Sequence, residues 1–453
     1  MNKLTSSLAL IGLLSISALA NDHNKYFTKS KSEHSFSKQI NTLNDDALDI
    51  AILGKSFFRI PWVEAPSATT ARDGLGPLFN ANACISCHPN NGIGGLFTKS
   101  GEIARSNIIK VGITNNGSQK HQEMISKMGF IPDPVYGGQI SINGVFGVPF
   151  EARPEVKFET SEFTFPDGEK ITMHKPLVKL KDLQYGELTT NASLSFRKAP
   201  ALVGLGLLEM ISDKDILANE DINDKNGDGI SGKANIVYSP YQDKYKVGRY
   251  TYKASAPTVL HQVAGAANND MSLTSPIFPN DNCTDAQKEC LEAPKGRSSD
   301  KFDLPIERVK AIAFYLKTLK TPIPTQTDEF MEGKEIFDKI GCVSCHKDNF
   351  TTENGIKIAP YSDMLLHDMG EDLSDGRVEF KAGSREWRTS PLWGIGLYGK
   401  VLGKDPRYLH DGRATSLSEA ILWHGGEAEK AKDTYVNLSK EKRDKLLKFL
   451  GEL

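Results

Sequence analysis

Net charge, long apolar runs and cysteine are all scarce in this chain of 453 residues. Fifty-five Lys and Arg stand against 57 Asp and Glu, a formal balance of −2. That leaves no basic footprint for nucleic acid and no polybasic patch for a membrane surface. After the first 20 residues no segment approaches the roughly 18 apolar residues of a spanning helix. Six cysteines are too few to staple a scaffold of this length. Hydrophobic content of 39% and charged content of 25% suit a globular protein with a real core, not a disordered or collagenous chain.

The chain does have one apolar run at its start. From Leu8 to Ala20 it is broken only by Gly12, Ser15 and Ser17, and Ala18-Leu19-Ala20 offers a small-x-small cleavage pattern. Residues 1–20 are therefore expected to be a signal peptide. The mature protein is expected in the periplasm, an oxidising compartment, with no membrane span.

In that compartment the six cysteines sort into three pairs. Two of them read Cys84-Ile85-Ser86-Cys87-His88 and Cys342-Val343-Ser344-Cys345-His346. C-x-x-C-H is the c-type haem attachment pattern. Two thiols add to the two haem vinyl groups, and the imidazole that follows sits under the iron. A thioredoxin-like motif would want a βαβ pattern that neither site has. A four-cysteine zinc site would leave both histidines unexplained. Two covalently attached haem c groups are expected, with His88 and His346 as proximal ligands. Cys283 and Cys290 remain. A local disulfide pinning a surface loop is the simple account, and a redox-active pair is the alternative.

The order of motifs suggests two halves. Residues 21–45 are polar and read as a mobile lead. Phe330, Phe337 and Ile340 recur at helical spacing ahead of the second motif. Arg197-Lys198-Ala199-Pro200 to Gly206 parallels Arg388-Thr389-Ser390-Pro391 to Gly396, and residues 306–319 and 440–453 read as closing helices. Thr321-Pro322-Ile323-Pro324 is a stiff linker. The expectation is a mainly α fold of two cytochrome c-like domains, 46–325 and 326–453. The first is enlarged over about 105–300 by loops and small β-hairpins.

Asp224-Lys225-Asn226-Gly227-Asp228-Gly229-Ile230 matches the start of a calcium loop. Asp224, Asn226, Asp228 and the Ile230 carbonyl would supply oxygen ligands. The twelfth position is Asn235, not the bidentate glutamate of an EF-hand, so an Asx-rich turn is the alternative.

Ten histidines occur. Beyond the two proximal ones and His23 and His34 in the lead, His121, His174, His261, His367, His410 and His424 remain for the sixth iron positions, with Met271 and Met369. The residues alone do not choose. Four longer segments do carry a resemblance: Phe79-Asn80-Ala81-Asn82-Ala83, Leu365-Leu366-His367-Asp368-Met369-Gly370, Arg385-Glu386-Trp387-Arg388-Thr389-Ser390-Pro391, and Leu409-His410-Asp411-Gly412-Arg413 running to Trp423-His424-Gly425-Gly426. Through them the mature chain resembles the di-haem oxidoreductase family, sometimes labelled thiol oxidoreductase. That family is related to bacterial di-haem cytochrome c peroxidases and the methylamine-utilisation di-haem enzyme.

In the peroxidase relatives a His-Asp-Gly segment is followed fourteen residues later by the distal methionine of the C-terminal haem. Here that position is His424, so the resemblance implies a His346/His424 haem, with Met369 as runner-up. Histidine in place of methionine lowers the potential. The relatives keep an open or displaceable position on the N-terminal haem, lined by a Gln and a Glu. The loose counterparts here are Gln139 and Glu151, with His261 and Gln262 as other pocket candidates. Glu151 would move protons to and from peroxide. Trp62, Trp387, Trp393 and Trp423 are candidates for an electron relay, Trp393 and Trp423 foremost, and Arg197, Arg385 and Arg388 for haem propionates.

The function expected is reduction of hydrogen peroxide, with electrons from a small cytochrome, a cupredoxin or a quinol-linked chain. A homodimer is expected by resemblance. Two alternatives stay open: an electron carrier or redox sensor with both irons six-coordinate, and an oxidase of a thiol or sulfur compound, ferrous iron or a protein side chain.

Overall fold

A computed structural model describes residues 24–69, 71–296 and 301–453. The signal-peptide reading at 1–20 and His23 lie outside the described residues.

Two helix pairs frame the molecule. Helix α1 (Asp45–Arg59) starts at Asn44, whose side chain accepts from Ala47 N at 3.0 Å, with Asp45 and Asp46 complementing the helix dipole. It buries Ala51, Gly54, Phe57 and Phe58. After it come α2 (Cys84–Cys87), which carries the first cysteine pair, and α3 (Val259–Met271). Helix α4 (Ile306–Lys317) buries Val309, Ile312 and Leu316. It crosses α1 so closely that a Cβ on Gly54 would meet the Ala311 carbonyl. In the second half, α5 (Asp328–Lys339) is capped by Thr327 and buries Phe330, Gly333 and Phe337. It leads into Cys342. A short helix, α6 (Leu417–Leu422), follows, and then α7 (Lys440–Glu452), which buries Leu446, Phe449 and Leu450. Gly333 packs against the Lys445 carbonyl of α7, as Gly54 does against α4. The repeat thus includes a helix ahead of each motif. The sequence reading saw α5 but not α1.

The expectation of a mainly α fold is corrected. Helix accounts for 32% and strand for 20%, the strands lying in eight two-stranded sheets among the described residues. The largest is no small hairpin. Strands Arg153–Thr164 and Lys170–Lys181, 12 residues each, pair antiparallel from Arg153↔Lys181 to Thr164↔Lys170. Pro166-Asp167-Gly168 turns the chain, with Gly168 at φ +90°. Alternating Val156, Phe158, Ile171 and Met173 with charged residues suits a half-buried strand pair. The tip reaches the second half. Phe165 packs on Tyr435 and under the Arg443 guanidinium, and Arg443 pairs with Asp167 and Glu169 at 2.5 and 2.7 Å.

A second antiparallel pair, Asn107–Ile113 with Ala192–Lys198, carries Lys110, Arg197 and Lys198. The described part of the lead is anchored: Phe27 and Thr28 pair in parallel with Thr321 and Pro322, and Phe36 is fully buried. Cys283 and Cys290 form the expected disulfide. Among the described residues no helix is long and apolar enough to cross a membrane.

Candidate functional site

One cavity of about 1110 Å³ runs between the halves and is lined by Cys84, Cys87 and His88 at one place and Cys342, Cys345 and His346 at another. These residues are only half-buried, and the surface they keep faces this cavity. The three decisive imidazoles are held alike. His88 Nδ1 donates to the Pro200 carbonyl at 2.9 Å, His346 Nδ1 to Tyr361 O at 2.8 Å, and His424 Nδ1 to Ala420 O at 2.8 Å. Each bond fixes the tautomer and leaves Nε2 as a free acceptor, the state a metal needs. Burial pushes His88 and His346 down to about 4 and lowers His424, so all three rings are neutral at pH 7. His424 lies close enough to His346 to depress it further.

The two helices over the cavity correspond. Thr258 caps α3 by accepting from His261 N, and Ser416 caps α6 by accepting from Glu419 N. Counted from the caps, Val259 matches Leu417, Gln262 matches Ala420, Val263 matches Ile421, and Ala266 matches His424. All eight residues line the cavity.

Near the first cysteine pair the cavity wall carries Gln139, Lys110 and Asp270. Gln139 Nε2 donates to Asp270 Oδ1 at 2.7 Å and to Asn269 O at 3.1 Å. Lys110 and Gln139 are brought together by a backbone bridge. Burial lowers Lys110 to about 8, with Glu379 opposing, and raises Asp270. Burial also raises both thiols, and the Asp270 charge raises them further.

Part of the cavity wall, with Arg197, Arg377, Trp387 and His410, is cationic and aromatic, and Lys253 and Asp375 pack against it. Trp387 stacks on His410 at 3.7 Å between ring centroids, with Lys253 Nζ 4.2 Å above the indole. Arg197 pairs with Asp375 at 2.9 Å and Glu379 at 2.7 Å. Lys253 holds Asp375 at 3.1 Å, and Arg377 holds Glu379 at 3.1 Å.

Several residues singled out in the sequence fall elsewhere. Glu151 is 2% exposed and is not part of the cavity wall. It accepts from Ser141 N and Gln287 Nε2, so it buttresses the disulfide loop. Gln139 does reach the cavity, and the two are not brought together. Arg385 pairs with Asp368 away from the cavity, whereas Arg197 and Arg388 line it. Trp62 packs on Phe57, and Trp423 donates to Glu419. Trp387 and Trp393 are the two tryptophans on the wall. His367 is engaged on both nitrogens, by Asp363 at 2.8 Å and Glu427 at 2.6 Å. Against the pull of burial, bonds to Asp363, Cys345 and Glu427 raise it to about 12. Asp363, His367 and Cys345 are close enough to share a metal, but the imidazole is already spent and Cys345 belongs to the second motif. His261 lines the cavity with Nδ1 unpaired. In the loop at 224–230, Asp224 accepts from Gly229 N, Asn226 from Asp228 N, and Asp228 from Ile230 N. Asn226, Asp228 and Ile230 face a pocket of about 200 Å³ shared with Asp221, Asp363 and His367. Asp224 is outside that wall.

The family model described as "Di-haem oxidoreductase, putative peroxidase" matches residues 18–453. The chain belongs to that family. No curated protein matches the chain at a significant level. Membership implies haem as cofactor, and the donor set fits. There are two thiol pairs, each followed by an imidazole with Nε2 free, on one cavity with buried cations along its wall. Asp270, Lys110, Ala266 and the Trp387–His410 stack were missed in the sequence. Only the Trp387 and His410 segments carried any signal there.

Proposed function

We propose that this di-haem oxidoreductase is an exported c-type enzyme that reduces hydrogen peroxide at its N-terminal haem. Cys84 and Cys87 hold one haem covalently and Cys342 and Cys345 the other. His88 and His346 are the proximal ligands, and His424 completes the second iron. The observation that carries the reading is the mismatch at one position counted from the helix caps: His424, two residues past the end of α6, and Ala266, inside α3. That position would give a ligand to one iron and only a methyl group to the other; both residues line the cavity. An iron with an open position can take peroxide, and one closed by two imidazoles stores and relays an electron.

Haem supplies the metal that holds peroxide and passes electrons to it. The chain does the rest. His88 would hold one iron and His346 the other. Trp387, stacked on His410, lines the same cavity as both motifs and is the aromatic best suited to relay electrons. Arg197 and Arg388, which line the cavity, are suited to propionates. A small cytochrome, a cupredoxin or a quinol-linked chain is the donor. The Asp224–Ile230 loop holds a structural calcium ion, a reading supported by the oxygen-rich pocket that Asn226 and Asp228 share with Asp363. Dialysed protein free of calcium would refute that part.

Purified holoenzyme should show one high-spin and one low-spin haem, both retained after denaturation, and peroxide should change the high-spin spectrum. His261 favours the rival reading of an electron carrier, because its ring borders the cavity with Nδ1 unpaired. Two low-spin haems indifferent to peroxide would overturn the enzyme in favour of that carrier.

A further inference from the structure

Four carboxylates line the cavity: Asp228, Asp270, Glu379 and Glu427. Three are committed. Asp228 accepts from the backbone of its own loop, Glu379 holds Arg197 and Arg377, and Glu427 holds His367 and Ser231. Asp270 is different. Its Oδ1 accepts from Gln139, and its Oδ2 has no hydrogen bond among the described residues.

We propose that Asp270 is the catalytic residue that carries the proton at the first iron, with Gln139 as its positioning residue. The proposal rests on the peroxide reading above. Asp270 stands four residues beyond Ala266, so both lie on one face of α3, one turn apart. Its own carbonyl accepts from Asn80 N at 2.8 Å and Ala81 N at 3.2 Å, which ties this end of α3 to the segment just ahead of Cys84. The acid is therefore fixed to the same wall as the haem attachment. Gln139, held beside Lys110 by the backbone bridge, occupies Asp270 Oδ1 and leaves Oδ2 without a hydrogen bond in a residue that lines the cavity. The groups facing it are Lys110 from its strand, Gln139 from its loop and the thiols of α2. Arg197, Arg377 and Glu379 lie behind Lys110.

The chemistry needs such a group. Reduction of one peroxide takes two electrons and two protons and gives two waters. When the O–O bond breaks heterolytically, the outer oxygen must leave as water. Asp270 takes the proton from the inner oxygen and hands it to the outer one, so its own proton count is unchanged. The reduced donor supplies both electrons through the haems, and two solvent protons complete the second water. General acid–base help of this kind is worth about 10²–10⁴ in rate.

The test uses holoenzyme with Asp270→Asn and Asp270→Glu. Two rates are followed by stopped-flow between pH 5 and 9: the peroxide-driven change in the high-spin spectrum, and cyanide binding, in which HCN must give up its proton to a base. D270N is expected to slow the peroxide step about 10²-fold or more, to slow cyanide binding and to lose the acid limb of the pH profile. D270E should recover most of the rate, and the low-spin spectrum should not move. Unchanged rates and profile in D270N overturn the proposal. A wild-type enzyme that ignores peroxide overturns the peroxide reading instead, and cyanide binding unaffected by D270N then removes Asp270 as well. If D270N does not keep both haems, Gln139→Leu decides. It removes the bond that holds Asp270 down, so the acid limb moves to higher pH, and an unmoved limb overturns the proposal.

Discussion

Placing a histidine on α3 should close the first iron. Ala266 corresponds to His424, and the counterpart of Ala420, whose carbonyl orients His424, is Gln262. An imidazole introduced by Ala266→His would have the Gln262 carbonyl at the same i−4 spacing, shared there with the helix ladder of α3. Coordination favoured by about 2.7 kcal/mol keeps the site closed about 99% of the time. Peroxide reaches only the open fraction, so its rate should fall about 100-fold. The assay is the spin state of the resting enzyme together with stopped-flow peroxide reactivity. A266H should convert the high-spin signal to a second low-spin one, while the His424 haem is unchanged. A variant that holds both haems, stays high-spin and reacts like wild type would show that α3 does not stand over the first iron, and the inferred open site would fail with it.

Other perturbations separate sulfur from iron and structure from catalysis. The double change Cys283→Ser and Cys290→Ser opens a loop with a sequence separation of 7. Chain entropy alone puts the loss at about 2 kcal/mol of stability, read as a lower melting temperature, with peroxide turnover intact. Loss of turnover without loss of haem would revive sulfur chemistry. Burial raises the Glu151 carboxyl from its ordinary 4.5 to about 8. The folded protein then binds a proton that the unfolded chain has released, so this contribution is full below about pH 4.5 and is lost as pH rises through about 8. Denaturant titrations should show that decline in the wild type and a flatter profile in Glu151→Gln, with peroxide kinetics unaltered. Equal pH slopes would refute the buried neutral acid.

What the sequence made legible was what chemistry fixes locally. Attachment of haem needs two thiols and an imidazole in five residues, so the two Cys-x-x-Cys-His segments proposed to hold it stood out unaided. A helix that runs straight into its motif, as α5 does, was equally visible. Helix α1 was not, because 24 residues separate Arg59 from Cys84 and its exposed Leu48, Ile50, Ile52 and Leu53 blur the apolar stripe. The long hairpin was signalled by Pro166-Asp167-Gly168, but the cytochrome pattern drew the reading toward helix. Glu151 was chosen by its spacing from Gln139, a one-dimensional measure. In three dimensions Gln139 turns to Asp270, 131 residues away. A pocket built by contacts of that range leaves no local trace.

The charges along the cavity show why the chain depends on its cofactors. Lys110, Arg197, Lys253 and Arg377 pair with Asp375 and Glu379, and Asp270 faces Lys110, so four buried cations meet three carboxylates and one positive charge is left over within this group. Burial lowers Lys110 and Lys253 to about 8 and Arg377 to about 10, the response expected of cations in a poor dielectric. Two haems carry four propionates, enough to cover the excess. Without them the unfolded chain holds protons that the folded chain must release between about pH 8 and the ordinary lysine range, so stability rises with pH over that window. Haem-free protein should therefore be unfolded or loosely packed at pH 7 and gain near-UV circular dichroism as pH is raised through 8 to 10, while the holoenzyme shows no such gain. A haem-free chain as well packed at pH 7 as the holoenzyme would mean that the cations find their partners within the protein, and the propionate assignment would fail.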